Sequence, residues 1–494
     1  MTSKRLRFLL DTNILIPLQD SYLVLNENLQ NFIRLAGIGG HQLIYHPASL
    51  KDINRDDNAE RRNRTLSRLK QYQKLDNTLA CPWNTGNKSS NDACDNEILY
   101  ALECNAAHAL ITEDKGIHAK ARLRGLNGRV YNIQTAEDWL RRLHEPKEVK
   151  LPNIEDIPLY ALSPELQGSF FDSLREDYQP FDNWFSRKAQ EGRHAWVCRD
   201  ENGQLGAVCI YAVQENEKIT DVGNVLIGKA LKLCTFKVGE GVRGRKIGEL
   251  FLKAAFRYAS ENLCAYVFVH GNSDKQPYLV ALLEEFGFCD AGSYGADKVW
   301  VKEHPIAPPT DSLPAKEYVR RYFPHFRQDE GVAKYLVPIQ PNYHDILFPD
   351  FVSQKSRQLQ LFFPAQSNVG NAIKLAYLCH AQTNNIVPGD ILLFYRSRDE
   401  KCLTTIAVVD DFKILNDPTE IAAIVSRRTV YSFDQISKMS DKKVKVILFR
   451  LIKHLNTSIS LEELKSRGIL SGAPQSIVNL SEFKYRSLAN AAGI

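Results

Sequence analysis

Two proline-rich stretches constrain the fold of this chain more than any other feature of its sequence. The first reads EPKEVKLPNIEDIP (145–158) and the second reads HPIAPPTDSLPAKE (304–317). Proline lacks a backbone donor and favours extended conformations, so such stretches are typical of linkers between domains. A chain of 494 residues is also too long for a single hydrophobic core. We therefore predict a multidomain α/β protein with three domains, at 1–145, 155–304 and 318–494.

Composition limits the classes of function. No apolar run approaches the roughly 18 residues of a membrane span, so no membrane partner is expected. The ten cysteines are scattered without a CxxC pair, which predicts the free thiols of a cytoplasmic protein and no zinc site. The net charge of +5 is positive at both ends of the chain and negative in the middle. Positive ends are a mild indication of an anionic polymer as partner, although solvation alone also explains them.

The first 145 residues alternate between strand-like and helix-like segments. The apolar runs RFLLD, QLIYH and HALIT have the continuity of buried strands, and segments such as NENLQNFIRLAG and DNEILYALECNA separate them. This alternation predicts a parallel sheet. A parallel sheet brings the carboxyl ends of its strands to one edge, where the ligands of α/β proteins bind.

Acidic residues lie near each predicted strand end or in the helix that follows it. These acids are Asp11, Asp52, Asp95 (or Asp92, if the register differs) and Asp114. Each alone is equally well explained as a helix cap or a surface acid. Together at one edge, carboxylates repel one another unless cations lie between them, and oxygen ligands suit Mg²⁺ or Mn²⁺. Such metals activate a water and stabilise the leaving oxygen in phosphodiester cleavage.

The segments LLDTNILIP, HPASLKDI, DNEILYALE and ALITEDKGIHAKA together resemble the PIN domain family over about residues 5–142. The resemblance implies a three-layer α/β/α fold and ribonuclease activity. By position, it implies metal ligands at Asp11, Asp95 and Asp114. Asp52 stands where the family usually has glutamate, and Thr112 would orient Asp114 or the attacking water. These five residues are the predicted catalytic set.

The segment RDDNAERRNRTLSRLK follows Asp52 and is rich in arginine. Arginines beside a carboxylate cluster make sense where a phosphate backbone crosses both. The competing interpretation is a solvated amphipathic helix whose leucines point inward. The residues that we expect to contact RNA are Arg55, Arg61, Arg62 and Arg64.

The middle part begins with HAWVCRD and LGAVCIYAV, joined at Asn202-Gly203, which is a reliable hairpin signal. A strand ending in TFKV then leads through a glycine-rich turn into a helix, and helix starts of this kind bind pyrophosphate. The order of elements resembles the GNAT N-acetyltransferases over roughly residues 155–303, which implies acetyl-CoA as cofactor. The implied cofactor-binding residues are Val238, Arg243, Gly244, Arg245, Lys246 and Gly248.

Two departures from the GNAT pattern bear on catalysis. The family's loop follows Q/R-x-x-G-x-G/A, and here Lys246 takes the place of the middle glycine. Many members carry a general-acid tyrosine four residues before a later glycine, whereas this chain has Leu283 before Gly287. Tyr278 lies five residues further back, on a different helix face. Glu240 is an alternative base acting through water, although a solvated turn acid explains it better.

The last part contains YLVPIQPNYHDILFPDF, VPGDILLFYRS and KVKVILFRLIKHL. The pattern resembles PUA-like domains of the ASCH or EVE type over about residues 332–490, which implies a small β-barrel that binds RNA or modified bases. Aromatic rings and guanidinium planes stack on bases. Each such residue is also explained as a core aromatic or a surface base. The candidate RNA-binding residues are Tyr343, Lys355, Arg357, Tyr395, Arg396 and Arg398.

Together the three resemblances imply a metal-dependent endoribonuclease with a GNAT-like acetyl-CoA-binding domain and a PUA-like RNA-binding domain. PIN and GNAT domains occur in toxin–antitoxin and phage-defence proteins, so tRNA, an inhibitory antitoxin and a second copy of the chain are the implied partners. Two alternatives stay open. One is an N-acetyltransferase acting on an aminoacyl-tRNA or a protein amine, with the outer domains presenting RNA. The other is a non-catalytic RNA-binding regulator.

Overall fold

The structure is a computed structural model that describes residues 5–19, 27–70, 72–83, 90–145, 152–239, 242, 245–273, 275–351, 371–428 and 430–494. The chain divides into two compact units. The first comprises Met1–Val149 and Ile414–Val444, and the second comprises Lys150–Lys413 and Lys445–Ile494. The first proline-rich stretch contains the boundary between the units, whereas the second lies inside one unit. The division into three domains stays a prediction.

Strands and helices alternate through the first 145 residues, as the apolar pattern predicts. The elements are β1 (Arg7–Leu10), α1 (Thr12–Gln19), α2 (Glu27–Ile38), β2 (Gln42–Tyr45), α3 (Pro47–Asn54), α4 (Ala59–Leu69), β3 (Gln73–Lys74), α5 (Ser90–Glu103), β4 (Ala109–Ile111), α6 (Lys115–Leu123), β5 (Val130–Tyr131) and α7 (Ile133–His144). The five strands form a parallel sheet in the order β3-β2-β1-β4-β5.

Both faces of this sheet are covered because successive residues of β1 point to opposite sides. Phe8 packs edge-on against Phe32 of α2 and Trp139 of α7, with ring centroids 5.4 Å apart in each pair. Leu9 faces a second apolar cluster that includes Ile98 of α5. Burial on both faces explains why the sequence of β1 is continuously apolar rather than alternating.

The middle of the chain forms a second, mostly antiparallel sheet. Its elements are β6 (Glu155–Pro158), α8 (Asp172–Asp177), α9 (Phe181–Gln190), β7 (His194–Arg199), β8 (Leu205–Lys218), β9 (Val225–Val238), α10 (Ile247–Glu261), β10 (Tyr266–Gly271), α11 (Pro277–Glu285), β11 (Cys289–Tyr294) and β12 (Asp297–Glu303). The strand order is β11-β12-β10-β9-β8-β7-β6, and β9 and β10 are its parallel pair. Asn202-Gly203 lies in the β7–β8 hairpin as predicted, and Gly203 has a φ of +78°.

The remaining elements build a six-stranded sheet in the second unit and add two helices to the first. They are α12 (Ala315–Tyr322), β13 (Lys334–Ile339), α13 (Pro341–Leu347), β14 (Lys374–Cys379), β15 (Ile391–Arg396), β16 (Cys402–Leu415), α14 (Pro418–Val425), α15 (Phe433–Met439), β17 (Val444–Ser460), α16 (Leu461–Ser466), β18 (Val478–Asn479) and α17 (Glu482–Ala492). The strand order is β14-β17-β16-β15-β13-β18. This order does not confirm the predicted β-barrel.

The segment between β16 and β17 belongs to the first unit, although its flanking strands build a sheet of the second. Phe433 of α15 packs against the rings of His41 and His144, with centroids 5.7 and 5.8 Å away. The hydroxyls of Ser426 and Tyr131 lie 3.1 Å apart. Sequence patterns do not indicate that this segment packs in the first unit, because the apolar stripe of a short helix does not specify which core it joins.

One apolar core runs through the second unit from α10 to the six-stranded sheet. Where the two sheets meet, Lys374 at the start of β14 forms an ion pair with Glu285 of α11. The Lys374 backbone N–H donates to the Glu249 carboxylate of α10 at 2.5 Å. Lys374, in the last third of the chain, therefore contacts the first turn of α10, which follows the glycine-rich turn.

Candidate functional sites

Asp11, which ends the first apolar run, is buried at the carboxyl end of β1 with 5% of its surface exposed. One carboxylate oxygen accepts the Thr12 backbone N–H at 2.7 Å, and the other accepts the Thr112 hydroxyl at 2.6 Å. Burial raises the pKa of Asp11 to about 6, against these two hydrogen bonds and with a contribution from the nearby Asp95 and Asp114 carboxylates. A helix cap alone does not require such a costly buried charge.

Thr112 connects two of the predicted acids. Its hydroxyl donates to Asp11 and accepts the Asp114 backbone N–H at 3.0 Å and the Asn13 amide at 3.2 Å. Asp114 is the exposed N-cap of α6, where one carboxylate oxygen accepts the Ile117 N–H at 2.9 Å. Thr112 therefore orients Asp11, and the helix-cap interpretation holds for Asp114.

The other two predicted acids have basic partners. Asp95 lies 3.2 Å from the ammonium of Lys120, which also pairs with Asp92 at 2.5 Å. Burial nevertheless raises the pKa of Asp95. Asp52 lies in the second turn of α3, not in its opening turn, and pairs with Arg55 at 3.0 Å. The structure thus brings Asp95, rather than Asp92, into electrostatic contact with Asp11.

The acidic residues do not form a completed metal site. Among the described residues, no group of three or more His, Cys, Asp or Glu side chains is arranged to hold one cation. Asp11 already uses both carboxylate oxygens, and Asp95 is engaged by Lys120. As these side chains lie, they do not fit Mg²⁺ or Mn²⁺.

The arginines of the predicted RNA-binding segment lie on α4 and at the end of α3. These residues are Arg55, Arg61, Arg62 and Arg64. Arg61 pairs with Asp56 at 2.5 Å and Arg64 with Glu60 at 2.9 Å, so acids of the same segment already engage them. This arrangement favours the interpretation of α4 as a solvated amphipathic helix. A phosphate would have to compete with the local acids for these arginines.

The parallel strands β9 and β10 separate at one end. Their pairing stops at Leu233 and Val269, whereas β9 continues to Val238 and β10 to Gly271. On its other side β9 stays paired with β8, and a register shift there leaves one extra residue in β9. Within the described residues, 234–238 therefore has no ladder partner on the β10 side. Backbone groups left unpaired in this way are the kind that an extended ligand can pair with.

The helix that follows this opening starts without a side-chain cap. Lys246 at its N-cap has a φ of +57° and makes no capping hydrogen bond. Its ammonium donates to the Lys374 carbonyl at 2.9 Å, and Arg245 pairs with Glu201 at 2.9 Å. Anion binding at this helix start would therefore depend on backbone N–H groups rather than on these two side chains.

The other predicted cofactor-binding residues either have a role in packing or a strand position that accounts for them, or lie outside the residues that the structure describes. A Cβ added at Gly248 would lie 2.8 Å from a Leu282 side-chain carbon, so the glycine lets α10 approach α11. Val238 is the partly exposed last residue of β9. Four residues of the turn lie outside the described residues, namely Glu240, Gly241, Arg243 and Gly244.

The position of the missing GNAT tyrosine is part of the core. Leu283 is 1% exposed and packs in the apolar cluster of the second unit, whereas Tyr278 is 41% exposed on α11. Sequence analysis missed His270, which lies on β10 one residue beyond the last pairing with β9. Its Nε2 atom is buried without a hydrogen-bond partner in the described structure, and burial lowers the pKa of His270 to about 4. The sequence feature that could have indicated this residue is a histidine near the end of an otherwise apolar strand, YVFVHG.

Two of the four described RNA-binding candidates of the last part are engaged inside the protein. Tyr395 is fully buried in the core, so its ring is not available to stack on a base. The Arg396 guanidinium lies 2.7 Å from Asp399 and 3.2 Å from His344 Nδ1. Tyr343 is partly buried on α13, whereas Arg398 is exposed. Two further candidates, Lys355 and Arg357, lie outside the described residues.

The sequence profile of the Acetyltransferase (GNAT) family matches residues 159–288, which form a GNAT acetyltransferase domain. No curated protein matches the chain. The expected resemblance of residues 5–142 to PIN nucleases finds no support in these comparisons. No helix among the described residues is both long enough and apolar enough to cross a bilayer.

Solved structures of two kinds are similar to parts of the chain. One is the ASCH protein from Zymomonas mobilis, at 13% identity over 32% of this chain and 94% of that chain, with a TM-score of 0.24. Another is histone acetyltransferase HPA2 and related acetyltransferase from Corynebacterium glutamicum, at 14% identity over 33% and 100%, with a TM-score of 0.25. A third is IAA acetyltransferase from Bacillus cereus, at 16% over 30% and 97%, with a TM-score of 0.22. Identities and TM-scores this low carry no argument about function.

Proposed function

We propose that this protein is an acetyl-CoA-dependent N-acetyltransferase acting on an amine of an aminoacyl-tRNA or a protein. The observation that carries the proposal is the opening between β9 and β10, inside the residues that match the GNAT profile. The backbone of 234–238 would bind the amide-bearing arm of the cofactor, as an extended ligand pairs with a free strand edge. The first turn of α10 would bind the pyrophosphate through its N–H groups.

Acetyl transfer forms a bond between the acceptor nitrogen and the acetyl carbon and breaks the carbon–sulfur bond of the thioester. The acceptor amine loses a proton, and the departing sulfur leaves as a thiolate or gains one. Acetyl-CoA supplies the activated acetyl group. Leu283 takes no part because it is a buried hydrocarbon. His270 follows the last β9–β10 pairing, its imidazole is neutral, and its buried Nε2 has no hydrogen-bond partner among the described residues. We assign His270 to accepting a hydrogen bond from the acceptor amine, because a pKa of about 4 makes its imidazole too weak a base to deprotonate that amine.

The test measures CoA thiol release and acceptor acetylation separately, with full-length protein, labelled acetyl-CoA, and aminoacyl-tRNA or lysine peptides as acceptors. Lys246→Asp places a negative charge at the start of α10 and should weaken acetyl-CoA binding by about tenfold. Lys246→Gln is the control for the loss of the ammonium that donates to the Lys374 carbonyl, because it removes that ammonium without adding a negative charge. Lys229→Asp, an equal charge change at the other end of β9, should leave binding unchanged. Absence of acetyl-CoA binding, or binding without transfer to any amine, would refute the proposal.

Metal-dependent RNA cleavage at the acidic edge of the first unit is a second candidate function. The observation in its favour is that Asp95 and Asp114 are close enough to Asp11 to raise its pKa, at the carboxyl edge of a parallel sheet. Grouped carboxylates of this kind destabilise a fold and are frequent at functional sites. The described side chains would have to rearrange to hold a cation, so we derive no reaction step from them.

Cleavage of labelled total tRNA and mRNA by the full-length protein in Mn²⁺, with and without acetyl-CoA, tests the second candidate. Asp11→Asn, Asp95→Asn and EDTA should each abolish cutting, and Asp57→Asn, an exposed acid of the same unit, should not. Cutting that survives both of the first two substitutions would come from a contaminant or another site.

A further inference from the structure

A pocket of about 460 Å³ opens at the amino-terminal edge of the parallel sheet, opposite the edge that holds Asp11. Its walls come from the beginnings of β1, β2 and β3, from the residue before β4, and from the start of α14. We call it the basic pocket, and its principal residues are Arg5, Arg7, Gln42, Gln73, His108 and Asp417. All of them belong to the first unit.

The two arginines of the basic pocket differ from those of α4. Arg61 and Arg64 are paired with local acids, whereas Arg5 and Arg7 have no ion-pair partner in the part of the chain that the structure describes. The Nε atom of Arg7 is also buried without a hydrogen-bond partner there. Unpaired guanidinium groups at a concave surface are suited to an anionic ligand, and their fork geometry matches phosphate oxygens.

The acid in the pocket does not neutralise these arginines. Asp417 is the N-cap of α14, and its Oδ1 atom accepts the backbone N–H groups of Thr419 at 2.8 Å and Glu420 at 2.9 Å. The Thr419 hydroxyl donates to the same oxygen. These hydrogen bonds fix the carboxylate at the start of α14, and because the pocket holds two arginines against this one acid, it keeps an excess of positive charge.

The remaining polar groups add neutral hydrogen-bonding capacity. His108 Nδ1 accepts the Arg7 backbone N–H at 2.9 Å, which places the ring proton on Nε2 and makes that atom a donor. Burial lowers the pKa of His108, so the ring is neutral. Gln42 and Gln73 each carry an amide donor and an amide acceptor, a combination that matches the edge of a nucleobase.

We propose that the basic pocket binds the phosphate group of a nucleotide, either free or at the end of an RNA strand. Its volume is in the range of small-molecule sites and exceeds what a bare phosphate ion fills. The arginines bind the phosphate and the glutamines bind the base edge. This site is separate from both the β9–β10 opening and the acidic edge, so the proposal goes beyond acetyl transfer and is independent of it.

Equilibrium binding to the full-length protein tests this proposal with four probes: inorganic phosphate, UMP against uridine, AMP against adenosine, and an RNA decamer with a 5′-phosphate or a 5′-hydroxyl. Phosphorylated probes should bind at least about tenfold more tightly than their unphosphorylated counterparts. Arg7→Gln and Arg5→Gln should each remove about tenfold of that affinity. Arg34→Gln makes the same charge change at an arginine that pairs with Glu145 outside the pocket, and it should have no effect.

Mononucleotides that bind as tightly as the RNA would identify a free nucleotide as the ligand, and much tighter binding of the phosphorylated RNA would identify an RNA end. If Arg7→Gln does not fold, the exposed Arg5 decides the result. Equal affinity for phosphorylated and unphosphorylated probes, or affinity that neither arginine substitution changes, would overturn the proposal. None of these outcomes depends on whether acetyl transfer occurs.

Discussion

The acidic edge of the first unit and the β9–β10 opening of the second are built in opposite ways. At the acidic edge, side chains converge from different strand ends, and Asp11, Asp95 and Asp114 each already have a protein partner. At the opening, the feature is unpaired backbone next to a helix start without a side-chain cap. The acidic pattern therefore gives no ready metal site among the described residues, whereas the incomplete GNAT pattern lies beside two strands that separate.

This comparison separates two properties, which are the presence of the right residue types and their freedom to act. Residue types are read from a sequence, but freedom depends on what else packs nearby. The backbone-built region should be sensitive to added volume and to a negative charge at the start of α10, and tolerant of charge changes elsewhere. The side-chain-built region should respond to changes of charge with little change of volume. Four substitutions test this difference.

The largest effect is expected from Gly287→Ala, next to α11. Gly287 has a φ of +83°, and an added Cβ would lie 2.2 Å from the Arg320 carbonyl oxygen. Because the obstacle is backbone, the second unit should lose at least about 3 kcal/mol of unfolding free energy, measured in urea. Gly203→Ala, at a φ of +78° with no atom within 4 Å, should lose only about 1 kcal/mol. Equal losses would show that the clash does not matter.

Asp11→Asn should stabilise the first unit in EDTA, where no metal compensates the buried charge. The pKa of Asp11 is raised from 3.8 to about 6 in the folded state, so folding binds a proton and the carboxylate destabilises the fold as pH rises. The wild type should lose about 2 kcal/mol between pH 4 and pH 7, a loss that the variant lacks. Urea unfolding at each pH measures the difference, and a destabilised variant would show that Asp11 serves folding.

His270→Phe should lower the kcat of acetyl transfer by about tenfold and change the KM for acetyl-CoA by less than twofold. The substitution keeps an aromatic ring beside Phe268 and Tyr294 but removes the unpaired Nε2. Tyr294→Phe is the control, because it changes a neighbouring ring without removing that nitrogen. A change confined to KM would assign His270 to cofactor binding instead.

The smallest effect is expected from Lys120→Gln at the acidic edge. Lys120 pairs with Asp92 and Asp95, so its removal frees carboxylates and should raise Mn²⁺ affinity a few-fold. Calorimetry measures the affinity, with Lys115→Gln, an exposed lysine of the same helix, as control. Unchanged affinity in both variants would separate Asp95 from any metal site at this edge.

Local features of the fold were predictable because they depend on residues that are neighbours in sequence. The apolar run of β1 and its end at Asp11, the hairpin at Asn202-Gly203, and the strand–turn–helix order around α10 all follow from periodicity and turn chemistry. The residues that match the GNAT profile fall within the segment where that resemblance was expected. The absence of the GNAT tyrosine at Leu283 was also legible in the sequence.

Tertiary structure alone decided which of these residues are free to act. In the tertiary structure Tyr395 is buried, Lys120 pairs with Asp95, and the His270 Nε2 has no hydrogen-bond partner among the described residues. Residues 414–444 join the first unit, where Asp417 lines the basic pocket. The physical reason is that desolvation and ion pairing depend on contacts between segments that are not neighbours in sequence. Local periodicity specifies that a helix has an apolar face, but only the packed chain specifies what that face meets.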